Sequence, residues 1–430
     1  MMRSVEEHLA AVLSLATPLP VETVPVSEAR GRVVAASAVA VLDLPSFDNS
    51  AMDGYAVRAA DVPAAGVRVA VVDDIAAGDT RRLSLPPGGA MRIMTGAPLP
   101  EGADAIVPVE ASDGGTTTVA FTEVPGVGQH VRWVGEDVRA GDEVVSAGVS
   151  VTPGVIALLA AAGIAEVAVH RRPRVAVFST GDELVPLGTT PGFGQIVDSN
   201  QVMLGELVRA AGAELVHSGH LPDDPDLVRA AFADPPGDAD LVLTSGGVSM
   251  GAHDVVKEVL LAAGTVDFVK VAMRPGMPQG AGHIGGRPIV TLPGNPVSSF
   301  VSFHVFVLPL LRRLAGQPAA ASLGEEVGAG VVEAAVAWRS VEGKVEFTRV
   351  RVAGGAATPM TGQWRPEPSG SCQSTSQASK GSPRRDAVSA MQRHQSTAWP
   401  SVRRKSRRPS PRMSSSSISS RRMFRRIRSR

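Results

Sequence analysis

Cysteine is almost missing from this chain: Cys372 stands alone among 430 residues. A lone thiol excludes an intramolecular disulfide and any cysteine-rich zinc site, and it fits a reducing compartment, so a cytoplasmic location is expected. The N-terminus lacks the apolar run of a signal peptide, because Glu6, Glu7 and His8 interrupt it, and no stretch is read as long enough to span a bilayer. The opening segment reads instead as an amphipathic helix. Ser4 and Glu7 have capping-box spacing, and Val5, Leu9, Val12 and Leu13 share one face.

Net charge is also lacking, since 42 basic and 42 acidic groups cancel. The cancellation hides two unlike pieces. Residues 365–430 hold 17 Lys and Arg against 2 Asp and Glu, which leaves 25 basic and 40 acidic groups in residues 1–364. From Arg365 onward Ser, Arg, Pro and Gln dominate and apolar periodicity is almost absent. Such a composition cannot offset the entropy of folding, so a disordered basic tail is expected. An RNA- or membrane-seeking basic arm is the functional alternative for it.

What is present sorts into textures. Residues 67–145 are short alternating apolar runs broken by Gly and Pro, the pattern of a β-rich module. Ahead of them Asp48, Asn49, Ser50 and Asp53 crowd six positions, followed by Gly54 and the only tyrosine, Tyr55. Turn chemistry explains one or two such residues, and four together point to a site. A new texture starts at Pro173. Strand 174–179, helix 200–211, strand 214–218, a helix opened by Asp224-Pro225, strand 241–244, helix 254–263 and strand 265–271 alternate, which predicts a three-layer α/β domain with a largely parallel sheet.

Ligands of such domains sit at the carboxyl ends of the strands. Four polar loops fall there: Ser179-Thr-Gly-Asp-Glu-Leu184, Pro222-Asp-Asp-Pro225, Ser245 to Asp254, and Leu292-Pro-Gly-Asn-Pro-Val297. In the third, Gly246 and Gly247 follow the buried run Leu241-Val-Leu and precede a helix, an arrangement suited to an anion held by backbone N–H groups. Asp224, directly before Pro225, reads as a helix cap and not as a ligand.

Five ordered motifs carry a resemblance: Asp48-Asn-Ser-Ala-Met-Asp-Gly-Tyr-Ala-Val57, Met94-Thr-Gly-Ala97, Ser179-Thr-Gly-Asp-Glu-Leu184, Ser245-Gly-Gly-Val-Ser249 and Pro293-Gly-Asn-Pro-Val-Ser298. From about residue 4 to about residue 352 the chain resembles the molybdopterin molybdenumtransferases, a family that includes the C-terminal domain of gephyrin. Residues 172–316 alone also resemble the smaller molybdopterin adenylyltransferases. The resemblance implies insertion of molybdate into adenylylated molybdopterin with release of AMP, assisted by Mg²⁺, in a homodimer, and contact with other enzymes of the pathway. Neither a membrane nor a nucleic acid is expected as a partner.

By motif position the resemblance assigns catalysis to Asp53, Thr95, Asp137, Glu183, Asp223 and Asp254, with Glu183, Asp223 and Asp254 on the metal. It assigns substrate binding to Ser179, Thr180, Gly181, Asp182, Ser245, Gly246, Gly247, Ser249, Lys270, Arg274, Pro293, Gly294, Asn295 and Pro296. Carboxylate oxygens beside a phosphate suit Mg²⁺, and Lys270 and Arg274 add formal positive charge to an acidic body. The expected organisation is an N-terminal region, 1–171, with an inserted β module at about 46–140. An α/β domain at 172–316 follows, then an incomplete C-terminal β-barrel at 317–364, then the tail. Met277-Pro278 stands where the family often has Lys-Pro, and the barrel's later strands are not recognisable after Lys344 to Val352; a shifted reading frame would produce so abrupt a change. An adenylyltransferase acting one step earlier would not need the first 170 residues. A non-catalytic scaffold would not need the acidic cluster.

Overall fold

Ser4 and Glu7 close the predicted capping box: Ser4 Oγ accepts from Glu7 N at 3.1 Å, and the Glu7 carboxylate accepts from Ser4 N at 2.7 Å. Helix α1 (Val5–Leu13) follows and buries Val5, Leu9 and Val12, with His8 among them. The computed structural model describes residues 2–248, 255–264 and 266–318, then 330–331, 333–334, 341–348, 350–353, 356–359 and 389–390. Trp338 and nearly all of the basic tail lie outside the described residues.

Strands β1 (Val21–Pro25), β2 (Ala38–Val39) and β3 (Asn49–Ser50) lead into the β module. Its sheet is made from β4 (Gly54–Val57), β5 (Arg68–Ile75), β6 (Gly89–Ile93), β7 (Ala105–Pro108) and β8 (Thr118–Ala120), in the order β7-β4-β6-β5-β8. β5 and β6 run parallel and the other neighbours antiparallel. Alternation along β4 sends Tyr55 and Val57 to one apolar cluster and Ala56 to another, so both faces are covered. Tyr55 is thus a core residue, 1% exposed, with its hydroxyl on the Gly115 carbonyl at 3.0 Å. Strand β9 (Val131–Arg132) pairs with β3, and β10 (Glu143–Val145) with β2. Helix α2 (Pro153–Ala161) and β11 (Glu166–His170), the partner of β1, complete a small separate core.

The α/β domain follows. Its elements are β12 (Arg174–Thr180), β13 (Leu184–Val185), β14 (Ile196–Val197), α3 (Ser199–Ala210), β15 (Glu214–Leu221) and α4 (Pro225–Ala233). Next come β16 (Leu241–Ser245), α5 (Val255–Ala263), β17 (Val266–Lys270), β18 (Met273–Arg274), β19 (Pro278–Ile284) and β20 (Arg287–Leu292). The main sheet has the order β15-β12-β16-β20-β19-β17. Its first four strands are mutually parallel, while β19 runs antiparallel to both β20 and β17, so the sheet is largely parallel with one reversed strand. Every residue of β16 is buried, as a strand covered on both faces requires. Val175 and Val177 face one apolar cluster with α1 and α3; Ala176 and Phe178 face the other with α4 and α5.

Helices α6 (Pro296–Ser302) and α7 (Leu308–Leu314) join through a π-helical turn at Phe303–Val307. Together, Pro296–Leu314 is long and apolar enough by length and composition to cross a membrane, which corrects the expectation that no stretch is. Two thirds of it is buried inside the protein, and Phe303, Val305, Phe306, Leu310 and Leu311 belong to the same core as α1. The stripe of α1 is therefore spent on the α/β core, although chain order groups that helix with residues 14–171. Arg3 reinforces this docking through backbone bonds to Lys270 and Ala272.

The strand expected over 344–352 is split. β21 (Gly330–Val331) and β22 (Glu333–Ala334) precede it; β23 (Val345–Glu346) pairs with β18, and β24 (Val350–Ala353) pairs with β25 (Ala356–Pro359).

Candidate functional site

Because β15, β12, β16 and β20 are parallel neighbours, the four predicted loops leave the sheet at one edge. The carboxyl end of β17 and the start of β19 lie at that edge too, since Lys270 pairs with Pro278 and Thr291 with Gly280. Lys270 and Arg274 thereby join the edge, both exposed. Arg274 is held in β18 by pairing with Glu346, and its carbonyl accepts from Phe347 N at 2.8 Å.

The loops are bonded to one another. Gly246 N donates to the Leu292 carbonyl at 3.0 Å, and Thr180 Oγ1 to the Ser245 carbonyl at 3.5 Å. Asp223 N donates to Asp182 Oδ1 at 3.2 Å, which brings the loop after β15 against the one after β12. Gly246, at φ +94°, is required by this closeness, since a Cβ there would stand 2.6 Å from Thr180 Oγ1. Gly181, at φ +131°, leaves room for the Glu183 carboxylate, whose oxygen would lie 2.4 Å from a Cβ at that position. Pro293 and Gly294 run on from β20, and Asn295 caps α6, its Oδ1 accepting from Val297 N at 3.1 Å and Ser298 N at 3.3 Å, with Pro296 in the first turn. Asp224 caps α4 as predicted, taking Asp226 N at 2.8 Å and Leu227 N at 3.2 Å.

The β module builds its own cluster. Thr95 N and Thr95 Oγ1 each donate to Asp53 Oδ1 at 2.7 Å, and these two bonds, the backbone one foremost, hold the Asp53 carboxyl below its ordinary range. Asp53 is exposed, as is Asp137, whose N donates to the Leu44 carbonyl at 3.0 Å. The other polar residues of the crowded run are engaged locally. Asp48 accepts from Val134 N, Asn49 donates to the Phe47 carbonyl, and Ser50 bonds the Met52 backbone. Turn and strand geometry accounts for these three.

Two family models match the chain: MoeA N-terminal region (domain I and II) over residues 3–163, and probable molybdopterin binding domain over residues 176–313. Molybdopterin molybdenumtransferase 2 of Mycobacterium tuberculosis (strain ATCC 25618 / H37Rv) is 51% identical over 327 residues, covering 74% of this chain and 81% of that protein. The chain belongs to the MoeA family of molybdopterin molybdenumtransferases. The molybdopterin molybdenumtransferase of Haemophilus influenzae is 42% identical over 306 residues, which is 70% of this chain and 75% of that one. Among solved structures, the molybdopterin biosynthesis moeA protein of Pyrococcus horikoshii OT3 superposes with a TM-score of 0.71 at 28% identity, covering 85% and 91% of the two chains.

In this MoeA-family chain the acidic groups at the sheet edge are Asp182, Glu183 and Asp223, all exposed. Among the described residues no three His, Cys, Asp or Glu side chains gather closely enough to hold a metal ion. Asp254 and Ser249 lie outside the described residues. Sequence reasoning missed the buried residues under the loops. The Ser179 hydroxyl donates to the Asp198 carboxylate, and Asn200 Nδ2 donates to both Ser245 Oγ and the Gly294 carbonyl. Gln279, 1% exposed, donates to the Gly276 carbonyl and to Ser302 Oγ, each at 2.6 Å, and so props the turn after Arg274. A polar residue among the small and apolar residues Met277 to Gly282, as Gln279 is, was the available signal.

Proposed function

We propose that this chain inserts molybdate into adenylylated molybdopterin, releasing AMP and forming molybdenum cofactor. The observation that carries the reading is the meeting of four polar loops, three of them with glycine and two of them with hydroxyls, at the carboxyl edge of one sheet, bonded into a single rim. Such a rim suits a ligand with several phosphate oxygens. In this reading Ser179, Thr180, Asp182, Ser245 and Ser249, with the backbone of Gly181, Gly246, Gly247 and Pro293 to Pro296, hold the substrate. Lys270 and Arg274 balance its charge. Asp53 orients the attacking oxygen, with Thr95 fixing the carboxylate through both of its donors, and Asp137 assists.

The donor chemistry fits Mg²⁺, which binds through one or two carboxylates and completes its shell with water and substrate phosphate oxygens. Its carboxylate ligands would come from Glu183, Asp223 and Asp254, and when bound it would neutralise charge on the phosphates as AMP departs. Asp53 belongs to the β module and Glu183 to the α/β domain. We assign the complete site to a homodimer in which one subunit's module faces the other's α/β domain. Cytoplasmic location and contact with other enzymes of the pathway belong to the same proposal.

Purified protein given adenylylated molybdopterin, Mg²⁺ and molybdate should release AMP in a molybdate-dependent manner. AMP retained on the substrate under those conditions would sink the proposal. Consumption of ATP with formation of adenylylated molybdopterin would point to the preceding step instead.

A further inference from the structure

The amino end of α3 lies under three of the rim's loops. Asp198, 4% exposed, takes the Ser179 hydroxyl and also caps α3 through Gln201 N at 3.0 Å. Asn200, 8% exposed, reaches the loops after β16 and β20. Its amide nitrogen has two protons. One is given to Ser245 Oγ at 2.7 Å and the other to the Gly294 carbonyl at 2.7 Å. Both are spent, so toward Asn200 the Ser245 hydroxyl can only accept.

The next contact fixes the direction of the remaining proton. Ser299 Oγ donates its single proton to the Pro293 carbonyl. Ser245 Oγ and Ser299 Oγ are 3.3 Å apart, and with the Ser299 proton already committed, Ser245 is the donor of that pair. At 3.3 Å the contact is long beside the roughly 2.7–2.8 Å usual for O–H···O. The Ser245 proton is therefore held weakly, and a closer oxyanion would draw it off at little cost. One of its lone pairs is taken by Asn200.

We propose that Asn200 is a positioning residue that fixes Ser245 as a hydrogen-bond donor, so that the glycine-rich loop selects fully deprotonated phosphate oxyanions over protonated ones. The inference rests on the phosphate-binding reading of that loop. The monoanion of a phosphate monoester carries one P–OH, which set against a donor leaves two protons facing each other. The monoester dianion offers only acceptors. Sites built around a fixed hydrogen-bond polarity reject the wrong partner strongly, because a buried polar group is then left unpaired.

The test uses AMP as the pH-profile probe, with calorimetric titrations of the full-length protein at several pH values on both sides of its second phosphate ionisation, about 6, and inorganic phosphate as a second probe of anion binding. Wild type should bind AMP more tightly as the dianion forms. Asn200→Ala and Ser245→Ala should each weaken dianion binding by about tenfold or more and flatten the pH profile, whereas Ser245→Thr, which keeps the hydroxyl, should retain both. The double variant should bind within about threefold of either single one, since both act through one proton. A double variant that loses the product of the two single effects would overturn the proposal, as would wild-type affinity and pH profile in Asn200→Ala. Should Asn200→Ala fail to fold, Ser245→Ala decides alone: a flattened profile supports the proposal and an unchanged one overturns it. A wild-type protein that binds neither probe at any pH removes the phosphate-site reading itself, and this inference with it.

Discussion

Acidifying the protein should weaken the docking of α1 through one side chain, His8. The residue is fully buried, its ring stands edge-on to Phe306 with centroids 4.7 Å apart, and both ring nitrogens lack a hydrogen-bond partner. Burial, with a smaller push from the charge of Arg3, lowers its pKa from 6.5 to about 4. The unfolded chain therefore binds a proton that the folded chain refuses between those two values. Stability from this group is complete above pH 6.5 and is lost as pH falls toward 4. Each pKa unit is worth about 1.4 kcal/mol, so the loss approaches about 3 kcal/mol. Burying Val5, Leu9 and Val12 contributes roughly 1.5–3 kcal/mol each. The helix should thus stay docked but be held much more loosely. In His8→Leu, which sacrifices no hydrogen bond, urea unfolding followed by far-UV circular dichroism should give near wild-type stability at neutral pH. The variant should gain about 3 kcal/mol on wild type as pH drops to about 4. Parallel pH curves for the two proteins would refute the account, because carboxylates such as Asp53 and Asp113 titrate alike in both.

Asp53→Ala and Glu183→Ala chains, each inactive alone, should recover AMP release when mixed under conditions that exchange subunits; no recovery would argue against a site shared across a dimer. Removing the Asp224 cap as Asp224→Ala should cost about 1 kcal/mol in urea unfolding and leave turnover unchanged, and a large fall in turnover would promote Asp224 to the site. Gln279→Leu strands the Gly276 carbonyl and the Ser302 hydroxyl, so a loss of about 2–3 kcal/mol is expected, with weaker phosphate binding as the Arg274 turn loosens. Stability within about 0.5 kcal/mol of wild type would show that the prop is dispensable.

Local chemistry was legible from the chain alone. The Ser4 and Glu7 capping box, the Asp224-Pro225 helix start and the buried runs at 174–179 and 241–244 depend on neighbours a few residues away, and each appears where the residues place it. The glycine-rich loops were readable for the same reason, since strand, tight turn and helix follow one another directly. Tyr55, by contrast, looked like part of a site because it was rare, and a sheet that covers both faces of β4 made it core. Tertiary structure alone decided that α1 serves the α/β core, because an amphipathic stripe states that it must be covered and not by what. It also decided the antiparallel edge of the sheet, whose strand order follows from pairing between distant segments. The polarity of Ser245 is set the same way: its partners Asn200 and Ser299 lie 45 and 54 residues away in sequence, and only packing brings their hydrogen bonds together.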